Sequence, residues 1–196
     1  MDEVAKFYGP GGHLLSESRF CKGKRSGEMT QYYLSGAIYS IQRFEEGRKE
    51  GKQEFFYEDG KLKTLEFYRG GRLDGESILY WPNGALKRKC CFAAGVRCGI
   101  DRMWNDAGLL LDEGLYELGK AAGFHRRWSG SGQILEEILY LTGSRFNMKQ
   151  WDERGQLRVE AEWTDSENYR EKVWDRFQNI WIEKKGRWDG KQLVYI

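Results

Sequence analysis

Gly51-Lys52-Gln53-Glu54-Phe55-Phe56-Tyr57-Glu58-Asp59-Gly60-Lys61-Leu62 is followed 24 residues later by Gly75-Glu76-Ser77-Ile78-Leu79-Tyr80-Trp81-Pro82-Asn83-Gly84-Ala85-Leu86. The two stretches share glycines at the first and tenth places, an aromatic pair before the turn and a leucine behind it. Moving outward, the same step of 24 links Gly12, Gly36, Gly60, Gly84, Gly108 and Gly132. A second ladder runs Gly23, Gly47, Gly71, Gly95, Gly119 and Gly143. A third runs Gly27, Gly51, Gly75, Gly99 and Gly123, with Asn147 in its sixth place. Three ladders on one period define a tandem repeat of a little under eight units.

Apolar residues keep the period. Tyr8, Tyr32, Phe56, Tyr80, Trp104 and Trp128 form one aromatic ladder, and Phe20, Phe44, Tyr68, Phe92, Tyr116 and Tyr140 another. Leu14, Ile38, Leu62, Leu86, Leu110 and Ile134 lie between them. Beyond residue 140 the frame slips by one, and Trp151, Gly155, Leu157 and Trp163 take these slots. Asn179, Ile182, Trp188 and Gly190 follow after a further slip.

Each unit holds two runs of six or seven residues rich in aromatic and β-branched types, short for helices and suited to strands. Asp59-Gly60 and Asn83-Gly84 mark the hairpin turn, because that turn needs a positive φ that glycine adopts without a Cβ clash. The Gly-x-x-x-Gly segments, such as Gly47–Gly51, join one hairpin to the next. The fold class is therefore all-β: an elongated, twisted antiparallel meander of tandem β-hairpins. About sixteen strands at ~4.8 Å spacing stack to roughly 75 Å. Such a sheet buries its ladders between neighbouring units. A hydrophobic content of 40%, with 32% charged and 15% aromatic residues and a mean hydropathy of −0.74, suits a thin sheet better than a thick core.

Gly-x-x-x-Gly, an aromatic pair, then x-x-Gly-x-Leu, as in Gly51–Leu62 and Gly75–Leu86, resembles the bacterial variant of the MORN repeat. The resemblance covers residues 8 to 163 well and the rest poorly. It implies a β-hairpin repeat fold and a protein-binding scaffold or membrane-associated module. Similar proteins include the YwqK-type antitoxin-like group. No functional residue is fixed in that family, so none carries over.

Two domains are expected: residues 1–163 as repeats, and 164–196 as a degenerate last repeat or C-terminal cap. Two readings stand for 164–186. Tyr169, Val173, Phe177 and Trp181 fall four apart, Asp165 or Ser166 suits a helix N-cap, and Lys184-Lys185-Gly186 a helix end. The alternative keeps strands, with Asn179 at a turn and Trp188 on the aromatic ladder. The start of the chain shows no signal-peptide pattern and no run reaches 18 apolar residues, so a cytoplasmic location is expected.

Cys21, Cys90, Cys91 and Cys98 form no Cys-x-x-Cys pair, and His13 and His125 are far apart in the repeat order. A four-ligand zinc site is not expected, and no metal or other cofactor is. Free thiols are the expectation, with Cys98 in a turn the more reactive. Neither Gly9–Gly12 nor Gly130–Gly132 leads into a helix with Lys-Ser/Thr, so neither is a phosphate loop. No nucleophile and base stand out, and the chain is expected not to be an enzyme.

Two surfaces are candidates. Tyr33, Tyr57 and Trp81 stand beside the first aromatic ladder, their slot holding Gly9, Asn105 and Ser129 elsewhere; they form either a landing strip for a protein partner or core. Lys24, Arg48, Arg72 and Lys120 recur in one turn slot and Arg25, Lys49, Arg97 and Arg145 in the next, with Val96 and Ser144 breaking the first series. Glu45, Glu46, Glu50 and Asp74 interleave. This basic rim either keeps sheet edges apart in solvent or meets an acidic protein or anionic phospholipid surface. A net charge of +2 and a pI near 8.3 make nucleic acid the poorest partner. The reading is a non-enzymatic protein-binding scaffold, for which the resemblance implies an antitoxin-like role, with a peripheral membrane module as the alternative; the sequence leaves the oligomeric state open.

Overall fold

The computed structural model describes residues 2–141, 145–189 and 192–196. Gly143, Ser144 and Gly190 of the repeat pattern lie outside them. Secondary structure among the described residues is strand, turn and bend, and every pairing is antiparallel. The chain divides into two compact units, Met1–Gly108 and Leu109–Ile196.

The first unit holds β1 (Asp2–Tyr8), β2 (Leu14–Cys21), β3 (Lys24–Tyr32), β4 (Ile38–Glu45), β5 (Arg48–Lys49), β6 (Gly51–Phe56), β7 (Leu62–Arg69), β8 (Arg72–Tyr80), β9 (Leu86–Ala93) and β10 (Val96–Trp104). Each pairs with the next in sequence, except that β4 pairs with both β5 and β6, which Glu50 separates. The second unit is a like meander of β11 (Leu110–Glu117), β12 (Lys120–Trp128), β13 (Ile134–Tyr140), β14 (Phe146–Trp151), β15 (Leu157–Trp163), β16 (Asn168–Asp175), β17 (Ile180–Trp188) and β18 (Leu193–Tyr195).

The two turns of each repeat differ from expectation in one respect. Glycine does take positive φ at Gly36, Gly60 and Gly84, but Asp59 and Asn83 do not. These are four-residue turns, closed by Gly36 N–H to Tyr33 O (2.9 Å) and its equivalents. The tight primed turns lie at the start of the Gly-x-x-x-Gly segments: Lys22-Gly23, Glu46-Gly47, Gly70-Gly71, Ala94-Gly95 and Leu118-Gly119 all have both φ values positive. The second glycine of each segment makes a bulge. Between β7 and β8 the register jumps from Tyr68↔Leu73 to Glu66↔Ser77 around Gly75, where a Cβ would come within 3.1 Å of Phe67 Cβ. Asn147 stands in that slot in β14, and β13–β14 pairs without a register shift. Ile138 therefore faces Met148 rather than Lys149, the equivalent of the Gly114↔His125 pair one repeat earlier. This lost residue is the frame slip that follows residue 140.

The C-terminal helix reading is corrected. β16 and β17 pair in continuous register from Asn168↔Arg187 to Asp175↔Ile180. A spacing of four fits a strand face as well as a helix face, because four is a multiple of two. Asp175 Oδ1 accepts the Phe177 and Gln178 N–H groups (2.8 and 3.1 Å), and Asn179 turns the chain at φ 56°. Trp188 meets Trp163 edge-on at 6.3 Å.

The most buried positions are not the ladders. Phe20, Phe44, Tyr68 and Phe92 are half-buried, whereas strand-centre residues Ser18, Met29, Gln42, Gln53, Ser77, Cys90 and Asp101 are buried. Register joins Ser18, Met29 and Gln42 in one row, and Gln53, Glu66, Ser77 and Cys90 in another. Gln53, fully buried, takes the Arg43 N–H on Oε1 (3.2 Å) and donates to Arg43 O (3.0 Å), standing in for a strand partner beside Glu50. Gln31 Oε1 accepts from Ser40 and Gln42 (2.9 Å each). Among the described residues no buried side-chain polar atom lacks a partner. A buried orphan would cost about 1–3 kcal/mol, so only a satisfied polar row is tolerable here.

Candidate functional site

Strands of the first unit end on two rims. The primed turns form one, the four-residue turns the other.

On the primed-turn rim Lys24, Arg48 and Arg72 are exposed, and among the described residues none has an ion-pair partner. Their turns are stacked. Gly47 N–H donates to Arg25 O (2.8 Å), Gly71 N–H to Lys49 O (2.9 Å) and Gly95 N–H to Leu73 O (2.7 Å). Gly47, Gly71 and Gly95 lie over the stems of Lys24, Arg48 and Arg72; a Cβ on them would sit 3.6–3.9 Å from the stem's own Cβ. The next slot is occupied differently. Arg25 stacks on Phe44 (5.6 Å), Lys49 lies over Tyr68 (4.9 Å), and Arg97 pairs with Asp101 (3.4 Å). Two neighbouring carboxylates are engaged: Glu50 accepts the Gly70 N–H at 2.6 Å, and Asp74 pairs with Arg69 at 3.1 Å. Turns 22–25, 45–50 and 69–74 hold seven cations and four carboxylates, so their excess exceeds the +2 of the whole chain. In the second unit Lys120 is exposed and Arg145 stacks on Trp163 at 5.1 Å.

On the opposite rim Tyr33, Tyr57 and Trp81 are half-buried, and their polar atoms are spent inside the sheet. Tyr33 donates its hydroxyl to Phe56 O (2.8 Å), Tyr57 to Tyr80 O (2.7 Å), and Trp81 Nε1 to Trp104 O (3.0 Å). Each acceptor lies 23 residues on, so each ring latches its turn to the next repeat. Tyr39 meets Tyr33 edge-on at 5.3 Å, while Lys63 and Lys87 lie over Tyr57 and Trp81 at 5.5 and 4.1 Å. Where the slot holds Asn, Ser or Asp, the side chain caps its own turn: Asn105 accepts from Ala107 N–H, Ser129 from Gln133 N–H and Asp152 from Gln156 N–H.

Two groupings escaped the sequence reading. Cys91 and Cys98 face each other across β9–β10 with Sγ atoms 3.4 Å apart. His125 Nε2 reaches Leu115 O at 2.8 Å, with its ring between Tyr116 and Tyr140 and over Gly114. The cysteine pairing was readable by counting outward from Ala94-Gly95 once that step was known to be the tight turn. Among the described residues no helix is long and apolar enough to cross a membrane, and no three His, Cys, Asp or Glu side chains gather as a metal site.

No curated protein matches the sequence. Among solved structures, a chain of a mutant Photorhabdus luminescens Tc holotoxin pore is similar over 97% of this chain and 13% of that one, at 12% identity and a TM-score of 0.23. The model of the MORN repeat variant family matches residues 49–69 and 73–94. At these two adjacent places, therefore, the chain carries MORN-type repeats.

Proposed function

We propose that the chain is a non-catalytic binding scaffold whose primed-turn rim takes an acidic protein segment in extended form. The observation that carries this is the row Lys24, Arg48 and Arg72: three exposed cations without ion-pair partners among the described residues, in the same place of three stacked turns. Successive repeats are two strands apart, roughly 10 Å, and an extended chain in the polyproline-II conformation covers that in about three residues, one full turn, which brings every third side chain back to the same face. Carboxylates at every third position of a partner would meet the three cations in turn. The aromatic strip supports this choice by contrast, since its donors are already used. The antitoxin-like role implied by the resemblance would make the partner a toxin.

The test is fluorescence anisotropy with an extended peptide bearing Asp at every third residue, against wild type, Lys24→Glu/Arg48→Glu/Arg72→Glu and Tyr33→Ala/Tyr57→Ala/Trp81→Ala. Exposed pairs contribute about 0.2–1 kcal/mol each, so charge reversal should weaken binding roughly tenfold or more. Equal binding by the charge-reversed variant, or loss confined to the aromatic variant, overturns the reading. Binding of phosphatidylserine vesicles without binding of the peptide would move it to the membrane alternative.

A further inference from the structure

Beyond binding, we infer that Cys91 and Cys98 form a thiol–disulfide exchange site, closed by low-molecular-weight disulfides and reopened by thiols. The two residues are direct register partners on β9 and β10. Directly opposed residues of an antiparallel pair have Cα atoms about 4.5–5.5 Å apart, inside the roughly 4.4–6.8 Å range of disulfides. The Sγ atoms already touch at 3.4 Å and must close only to about 2.04 Å. Both side chains are half-buried, so a small reagent reaches them.

The other two cysteines lack this arrangement. Cys90 is buried, 4% exposed, with its Sγ against Ser77 O, and burial pushes its thiol up. As neighbours in one strand, Cys90 and Cys91 point to opposite faces. Cys21 pairs with Lys24 and Asp2, neither a thiol.

The hydrogen bond with Cys98 and then partial burial push the Cys91 thiol up. Cys98, as thiolate after losing its proton to solvent, attacks one sulfur of the small disulfide. A mixed disulfide forms and one small thiolate leaves. Cys91 then loses its proton to that leaving thiolate and attacks the Cys98 sulfur. The protein disulfide forms, and the second small thiolate leaves and takes a proton from solvent. Two protein thiols lose two electrons and two protons, and one small disulfide becomes two thiols. The new bond clamps the β9–β10 hairpin beside the register break that follows Cys98.

The experiment uses the reduced full chain in a series of oxidised to reduced glutathione ratios, quenched by alkylation. Tryptic cleavage after Arg97 separates the two cysteines. Wild type should yield a Cys91–Cys98 cross-linked peptide pair that dithiothreitol releases. Cys91→Ser and Cys98→Ser should lose it entirely and leave a glutathione adduct on the remaining partner, while Cys21→Ser keeps it. Circular dichroism checks folding, and the wild-type map decides alone if a variant fails to fold. Alkylation of both cysteines under oxidising ratios, or a bridge to Cys90 or Cys21, overturns the inference.

Discussion

Replacing Tyr57 with Phe removes one hydroxyl and keeps the ring. The structure makes that hydroxyl a latch: it donates to Tyr80 O at 2.7 Å and joins two repeats at the end of β8. A hydrogen bond of this kind contributes about 0.5–1.5 kcal/mol net. Both groups are only partly buried, so about 1 kcal/mol is the fair figure. For a unit of 108 residues this is a fall of about 4 °C in melting temperature. Tyr33→Phe removes the equivalent bond to Phe56 O. The two sites are a repeat apart and share neither donor nor acceptor, so the double variant should lose about 2 kcal/mol. Urea titration followed by tryptophan fluorescence reads this directly, because neither substitution touches a tryptophan. The same variants should leave affinity for the acidic peptide unchanged. Unaltered stability together with a lost partner would refute the latch and restore Tyr33 and Tyr57 as contact residues.

Three further outcomes follow from single contacts. Gly114→Ala places a Cβ 2.3 Å from His125 Nδ1 and must displace that ring, costing about 1–3 kcal/mol in urea unfolding; adding His125→Ala should return part of the loss, and equal stability of Gly114→Ala and wild type would contradict the packing. Asp101, buried and paired with Arg88 at 2.6 Å, should cost about 2 kcal/mol or more as Asp101→Ala, measured the same way; a neutral result would show the pair idle. Partial burial raises the Glu54 carboxyl, but hydrogen bonds from Lys52 and Arg43 outweigh it and hold the group below its ordinary 4.5. Its stabilisation is thus complete above about pH 4.5 and lost as pH falls through the lower folded value, so Glu54→Gln should flatten the acid side of the stability profile; an unchanged profile would count against the network.

The period, strand count per repeat and most strand positions were legible because side chains at the ladder slots recur at fixed spacing, as Phe44, Tyr68 and Phe92 do. Turn type was less legible. Asp59-Gly60 carries the stronger composition signal, yet the primed geometry fell to Glu46-Gly47 and Leu118-Gly119, where non-glycine residues accept positive φ on an exposed rim. The buried row was not legible at all. Gln42, Gln53 and Ser77 carry polar side chains that no apolar ladder marks, but strand-centre positions are shielded by neighbours on either side, and hydrogen bonds such as Gln53 to Arg43 make that burial tolerable. The charged rim was visible as spacing. Which cations are unengaged was not, since Lys49 and Arg97 sit one residue from Arg48 and Val96 yet turn to Tyr68 and Asp101.

The direct test of the binding account is hydrogen–deuterium exchange of the full chain with and without the acidic peptide. Lys24, Arg48 and Arg72 predict added protection in turns 22–25, 46–49 and 70–73, disappearing at high salt. Protection confined to turns 33–37, 57–61 and 81–85, on the opposite ends of the strands, would contradict it.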